Sequence, residues 1–183
     1  MNNFMKLFAI FVLFIQIQIV LSQNPHPVSA PGPNLIQQLC KRNRHQSLCV
    51  STLNLDPRSK TSNLQGLASI SIDATSKKVN ETIQYLISVM KDLGGGREGF
   101  ERYGTCIEGY GASIRRFLPA ALADLKAKKY SQAVSDINDV VIQAPVTCQQ
   151  QFPGKGPVPL TERNQATHDI ADMTADIIKT FVN

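Results

Sequence analysis

The sequence has few of the residues on which most catalytic and metal sites depend. It contains no tryptophan, only three histidines and 7% aromatic residues. Its four cysteines match no common zinc spacing, and Lys155, although it lies between glycines, lacks the frame of a phosphate-binding loop. Nucleic-acid binding would need a denser basic and aromatic stripe. We therefore expect no metal, no cofactor and no nucleic acid among the ligands.

The core that this composition allows is aliphatic. Hydrophobic residues make up 43% of the 183 residues, which is enough for one domain but hardly for two. Because leucine, alanine, isoleucine and valine must fill the core without tryptophan, the composition favours helices over strands. The formal charge of +5 is a mild basic excess, for which ordinary solvated lysine and arginine side chains are sufficient.

The first 22 residues have the features of a secretory signal peptide. Lys6 precedes an apolar run that ends at Leu21, and Ser22 is a small residue at the cleavage position. A membrane anchor is the weaker alternative, because the run is shorter than the ~20 residues of a spanning helix. Residues 23–33 are rich in proline and predict an extended leader. We therefore expect a secreted protein that has no membrane attachment once the signal is removed.

The four cysteines predict two disulfide bonds. An even number in a secreted chain is typical of a disulfide framework, and four cysteines allow three pairings. Their closeness in sequence favours Cys40–Cys49, which leaves Cys106 and Cys148 for each other. The loop between the first two is unusually basic and is either a contact patch or a solvated turn, and we favour the solvated turn. Its charged residues are Lys41, Arg42, Arg44 and His45.

Four stretches have apolar residues at the spacing of amphipathic helices. They cover about 62–93, 98–128, 131–152 and 161–181. Thr61 or Ser62, Ser131 and Thr161 are the expected N-caps, and Pro119 and Pro145 are expected to kink their helices. Short connections between four long helices predict an all-α, up-and-down four-helix bundle over 61–183, preceded by a helical hairpin over 34–60.

The polar residues on these helices predict no catalytic centre. His168 and Asp172 are four residues apart on one helix face, but further ligands or a nucleophile are missing, so a surface hydrogen bond is the better interpretation. The aspartates lie mainly on polar faces. Asn80 begins an Asn-Glu-Thr sequon and is a candidate glycosylation site if its side chain faces outward. A secreted, disulfide-linked bundle of this kind suits a protein-binding module, with a small lipid carrier as the alternative.

Several blocks of the sequence resemble the plant invertase and pectin methylesterase inhibitor family. In order along the chain they are LIQQLC, SLC, DPRS, LQGLASISID, RYGTCIEGY, ALADLKAKKYSQA, VTCQQQF and PLTERN. The resemblance extends from about Asn34 to Phe181. It implies an inhibitor domain over 34–183 with a four-helix bundle after a helical hairpin, and the bridges Cys40–Cys49 and Cys106–Cys148. It also implies a wall-located monomer that is not an enzyme and that blocks the substrate cleft of a carbohydrate-active enzyme one to one.

The resemblance implies two alternative partners. In the invertase branch a Pro-Lys-Phe motif between two helices enters the enzyme, and here the connection contains Lys129 and Tyr130 but no proline. In the pectin methylesterase branch the bundle helices form the contact, and Thr147 matches a threonine at that interface. Gln150 stands where that branch has a carboxylate. SLC, DPRS and LQGL are closer to the esterase branch, so we expect a pectin methylesterase as the partner and an acid invertase as the alternative.

Overall fold

The computed structural model describes residues 33–93, 96–152, 154 and 158–182, and the regular structure within them is helical. This confirms the predicted all-α class with two disulfides. The proposed signal peptide and all of the leader except Pro33 lie outside the described residues. Among the helices of the described part, none is long and apolar enough to cross a membrane.

A short helical hairpin precedes the bundle. Helix α1 comprises Pro33–Cys40 and helix α2 comprises Gln46–Leu55, and the Cys40–Cys49 disulfide joins them with a Cα separation of 5.6 Å. A single 3-10 turn, Pro57–Lys60, leads into the bundle. Pro33, which the sequence assigned to the extended leader, is the first residue of α1. This position tolerates proline because its missing N–H would have no partner in the helix.

Four long helical segments form the bundle. The first is α3, and two of the others are interrupted by a π-helical turn. Each segment packs against two others, first against second, second against third, third against fourth and fourth against first, which closes an up-and-down bundle. The segments are α3 (Leu64–Asp92); α4 (Arg97–Ala112), the turn Ser113–Phe117 and α5 (Leu118–Lys126); α6 (Tyr130–Val141), the turn Ile142–Val146 and α7 (Thr147–Gln150); and α8 (Val158–Lys179).

Each π-turn has a proline inside it or close after it. Pro119 lies two residues after the end of the first turn, at the second position of α5, while Pro145 lies inside the second turn. A proline cannot donate the usual backbone hydrogen bond and its ring crowds the carbonyl four residues earlier. A local change to wider π-helical bonding relieves both problems without ending the helix. The segments therefore continue past the prolines, and Cys148 still reaches the bundle interior.

The core is aliphatic, as the composition predicts, but polar pairs cross one of its interfaces. The Thr75 and Thr174 hydroxyls lie 3.0 Å apart between α3 and α8, and the Thr82 and Thr167 hydroxyls lie 3.2 Å apart further along. All four side chains are fully buried. A buried hydroxyl needs a hydrogen-bond partner, and each pair supplies one across the interface. The periodicity of apolar residues does not predict these pairs, because on α8 the polar Thr167 is buried while the apolar Ala166 beside it is exposed.

The N-cap predictions are wrong in detail. Helix α3 begins at Leu64, and its cap is Asn63, whose side chain accepts a hydrogen bond from the Gly66 N–H at 2.8 Å. Ser62 instead donates its hydroxyl to the Arg58 carbonyl in the preceding turn at 2.8 Å. Helices α6 and α8 also start before Ser131 and Thr161, which lie inside their first turns.

An ionic cluster holds the hairpin on α8. Arg44 donates from Nη2 to Asp172 at 2.6 Å and to Asp176 at 2.7 Å, and it donates from Nε to Asp176 at 2.9 Å. His45 Nε2 lies 3.1 Å from the other Asp172 oxygen, and Asn43 donates to the Met173 carbonyl at 2.9 Å. The predicted solvated turn is therefore wrong at Arg44 and His45, which fix the hairpin to the bundle.

The same cluster changes the interpretation of His168. Its Nδ1 lies 3.5 Å from Asp169, and Asp172, the expected partner, is engaged by Arg44 and His45 instead. The four-residue spacing does place His168 and Asp172 on one helix, but the Asp172 carboxylate is bound by Arg44 and His45 of the loop between α1 and α2.

Candidate functional site

The described residues contain no arrangement suited to metal catalysis. No group of three or more histidine, cysteine, aspartate or glutamate side chains in this part of the chain could hold a metal ion. The cysteines are paired in the two predicted bridges, and no free thiol remains among them. The four predicted contact residues lie in two separate places on the surface.

Thr147 and Gln150 lie on α7, at the end of the third bundle segment. Cys148 between them is buried and bridged to Cys106 of α4 with a Cα separation of 4.5 Å. The two segments also approach closely one turn earlier, where a Cβ at Gly109 would lie 3.2 Å from the Gln143 carbonyl oxygen. Only glycine fits this approach without a shift of the backbone. The disulfide and the close approach together fix α7 on the bundle.

The Thr147 hydroxyl is available for contact with a partner. The alternative was that it bonds the backbone of its own helix, as threonine often does. Thr75, Thr82 and Thr167 make that bond. Thr147 Oγ1 has no hydrogen bond to any part of the chain that the structure describes, although its backbone carbonyl accepts one from Gln151 at 3.3 Å. Thr147 is half-buried and Gln150 is exposed.

A depression of about 260 Å³ separates α7 from the first turns of α8. Its lining combines two apolar residues with neutral polar side chains and His168. We call it the α7–α8 depression. It is lined by Pro145, Val146, Gln149, Gln150, Thr161, Asn164, Gln165 and His168. Val146 is 39% exposed, so this surface offers apolar area together with amide and hydroxyl groups.

A buried hydrogen-bond chain supports this depression from below. The Tyr110 hydroxyl donates to Asn164 Oδ1 at 2.7 Å, and Asn164 Nδ2 donates to Gln149 Oε1 at 3.0 Å. Tyr110 is fully buried, and burial raises its pKa well above the ordinary value. The sequence analysis assigned no role to Tyr110, Asn164 or Gln149. The available signal was the phenol itself, since a buried tyrosine hydroxyl usually finds a partner.

Lys129 and Tyr130 lie at the other end of the third segment. The Tyr130 ring stacks on Phe181, with ring centroids 4.9 Å apart. The Lys129 side chain is exposed and its Nζ lies 3.8 Å from Asp124. These residues border an open depression of about 480 Å³ near the end of α8. The 17 residues from Tyr130 to Thr147 span about 25 Å at the rise of a helix. The structure therefore does not bring the four predicted contact residues together.

Asn80 is exposed on α3, so the condition for its glycosylation is met, and its use stays a prediction.

A cleft of about 490 Å³ lies between α2 and α3. Arg58 bridges Asp56 and Asp73 at its edge, at 2.6 and 2.9 Å, and Leu55 is strongly exposed beside it. The cleft is open to solvent at the edge of the hairpin and is not an enclosed apolar chamber of the kind expected for a lipid carrier.

Comparisons with known proteins agree with this architecture. The family model for plant invertase/pectin methylesterase inhibitors matches residues 34–179. A pectinesterase inhibitor of Actinidia deliciosa is 30% identical over 185 residues, which cover 97% of this chain and 92% of that protein. A cell wall/vacuolar inhibitor of fructosidase from Arabidopsis thaliana is 26% identical over 144 residues, which cover 79% of this chain and 67% of that protein.

A solved structure shows the same fold. The crystal structure of a pectin methylesterase inhibitor from Arabidopsis, in a mutant form, superimposes with a TM-score of 0.64. It is 18% identical, and the match covers 79% of this chain and 95% of that one. The chain therefore belongs to the plant invertase/pectin methylesterase inhibitor family and is a proteinaceous inhibitor rather than an enzyme.

Proposed function

We propose that this protein inhibits a plant pectin methylesterase by covering its substrate cleft with the surface made by α7, including Thr147, and the α7–α8 depression. The observation that carries the proposal is the unbonded Thr147 hydroxyl on a turn that the Cys106–Cys148 bridge holds rigid. A fixed surface loses little conformational freedom on binding, which favours affinity. The inhibitor performs no chemistry of its own and acts by steric exclusion of the substrate.

The proposed partner matches the character of this surface. Gln150 and Gln165 offer amide donors and acceptors in the same depression as the apolar Pro145 and Val146. A stable one-to-one complex would bury roughly 1,200–2,000 Å² in total. The α7–α8 depression is too small for this alone, so exposed faces of the neighbouring bundle helices would complete the contact. We propose that the inhibitor is a monomer that meets its target outside the cell, in the plant cell wall.

Inhibition of an acid invertase is the second candidate, and one observation favours it. Lys129 is exposed beside an open depression, at the connection where the invertase branch carries its motif. Two observations count against it. The connection has no proline, and Tyr130 is already stacked on Phe181 and would have to leave that ring to enter an enzyme.

The experiment is a parallel titration of the mature, oxidised protein against a plant pectin methylesterase and a plant acid invertase. We expect esterase activity to fall linearly to an end point at one inhibitor per enzyme while invertase activity is unchanged. Loss of invertase activity alone would refute the proposal and move the contact to Lys129 and Tyr130. If neither activity changes between pH 4 and pH 7, enzyme inhibition through either surface is refuted, and binding of a lipid or another ligand becomes the question.

A further inference from the structure

The hydrogen-bond chain beneath the α7–α8 depression gives Gln149 a defined orientation. The Tyr110 hydroxyl can donate only one proton, and it gives that proton to Asn164 Oδ1 at 2.7 Å. The amide of Asn164 therefore points its NH2 group the other way, where Nδ2 reaches Gln149 Oε1 at 3.0 Å. In this arrangement each donor of the chain faces one acceptor, and the phenol lies fully buried at its inner end.

The orientation leaves the outer half of the Gln149 amide for a partner. Its oxygen is held by Asn164, and its Nε2 has no hydrogen bond within the part of the chain that the structure describes. Gln149 is half-buried and lines the α7–α8 depression between Thr147 and Gln150. An NH2 group held in this way is a pre-oriented donor, which loses little rotational freedom when it meets an acceptor.

We propose that Gln149 is a contact residue of the inhibitory surface, and that Tyr110 and Asn164 are positioning residues that aim its NH2 group at a hydrogen-bond acceptor on the partner enzyme. The acceptor is a backbone carbonyl or a carboxylate at the rim of the blocked cleft. This inference rests on the proposed function and adds to it a donor whose direction is set by a buried phenol.

Two substitutions separate the parts of the chain. Gln149→Glu keeps an oxygen for Asn164 Nδ2 but replaces the outward donor with a second, charged acceptor. Tyr110→Phe removes the donated proton while the ring stays in the core. The Asn164 Oδ1 then has no donor from Tyr110, and the orientation of the Asn164 amide is no longer fixed from the inner side. The matched control for the first is Gln132→Glu, an exposed position in the first turn of α6. The control for the second is Thr75→Val, which removes a buried hydroxyl between α3 and α8.

The test is a double-mutant cycle on the inhibition constant for pectin methylesterase, with melting temperature recorded for every variant. We expect Gln149→Glu and Tyr110→Phe each to weaken inhibition roughly tenfold or more, the effect of losing one good hydrogen bond at an interface. The double variant should be little weaker than Gln149→Glu alone, because both changes act on the same donor. Gln132→Glu and Thr75→Val should leave the inhibition constant within about twofold, even where Thr75→Val lowers the melting temperature.

Three results would overturn the inference while the wild-type protein still inhibits the esterase. These are an unchanged inhibition constant for Gln149→Glu, an unchanged constant for Tyr110→Phe, and fully additive losses in the double variant. A loss of inhibition in Thr75→Val equal to that in Tyr110→Phe would likewise show that Tyr110 acts only through stability. If the wild-type protein does not inhibit the esterase at all, the proposed function itself is refuted, and this inference falls with it.

Discussion

Replacing Arg44 by alanine should weaken the attachment of the hairpin to the bundle. The Arg44 guanidinium contacts Asp172 and Asp176 of α8 at 2.6 and 2.7 Å, and both carboxylates are only 13% exposed. Burial alone would raise the pKa of Asp176. Hydrogen bonds from Arg44 and Lys179 outweigh it and lower that pKa from 3.8 to about 2. Without the Arg44 side chain, a carboxylate that burial disfavours keeps only the backbone N–H of residue 44, at 3.2 Å, and Lys179, at 3.3 Å, as donors.

The size of the effect follows from the Asp176 pKa. A fall from 3.8 to about 2 corresponds to roughly 2.5 kcal/mol, at about 1.4 kcal/mol for each pH unit. The Arg44 side chain is 56% exposed, so solvent screens part of this interaction. We therefore expect Arg44→Ala to lower the free energy of unfolding by about 1–2 kcal/mol at pH 7.

The pH dependence has a definite sign. The pKa of Asp176 is lower in the folded protein than in the unfolded chain, so the stabilisation is present above about pH 4 and is lost as the pH falls toward 2. The difference between wild type and Arg44→Ala should therefore be constant from pH 7 to pH 5 and shrink between pH 4 and pH 2.

Urea denaturation of the oxidised protein, repeated across this pH range, measures the difference. Arg42→Ala is the matched control, because Arg42 is exposed in the same loop and its replacement removes the same charge. It should change the unfolding free energy by less than about 0.5 kcal/mol. Equal stabilities of Arg44→Ala and Arg42→Ala at pH 7, or a difference that persists undiminished at pH 2, would refute the reasoning.

Three further predictions concern the bundle. Removing the Cys106–Cys148 bridge, which joins residues 42 apart, by a double alanine substitution should cost about 4 kcal/mol, and calorimetry showing an unchanged melting temperature would contradict this. Burial, followed by neighbouring aspartates, raises the pKa of Asp136, so Asp136→Asn should raise stability at pH 7, with a gain that shrinks as the pH falls toward 4. A pH-independent effect would count against it. Tyr130→Ala should cost about 1 kcal/mol of ring packing yet leave esterase inhibition unchanged, whereas weakened inhibition would place Tyr130 in the contact.

Helix content and the order of the bundle could be predicted because they depend on residue periodicity. The inner face of the third segment is the clearest case, since Ala133, Ile137, Val140, Ala144 and Cys148 follow one another at spacings of three and four and are all buried. This pattern can be recognised without knowing the neighbouring helices. The apolar face of an amphipathic helix is buried against the core, whichever elements pack on it.

The contacts between elements could not be predicted in the same way. Asp172 was assigned to His168 because both lie on one helix, but the hairpin brings Arg44 and His45 to that carboxylate from more than 120 residues earlier in the chain. The Tyr110–Asn164–Gln149 chain joins three separate segments and has no local signature. Similarly, Asn63 rather than Ser62 caps α3 because the preceding turn offers Ser62 a carbonyl. In each case a partner distant in sequence or outside the helix competed with the local one.

The most direct test of the proposed function is the inhibition constant of Thr147→Arg for pectin methylesterase, compared with that of Lys129→Glu. Arginine at Thr147 places a long side chain beside the α7–α8 depression without disturbing the buried Cys148, so a complex that covers α7 cannot close. We expect Thr147→Arg to lose inhibition by a hundredfold or more, roughly the loss of about 3 kcal/mol of binding free energy. Lys129→Glu, about 25 Å away along the helix, should inhibit like the wild type. Wild-type inhibition by Thr147→Arg together with loss in Lys129→Glu would contradict the account and place the inhibitory contact at the opposite end of the bundle.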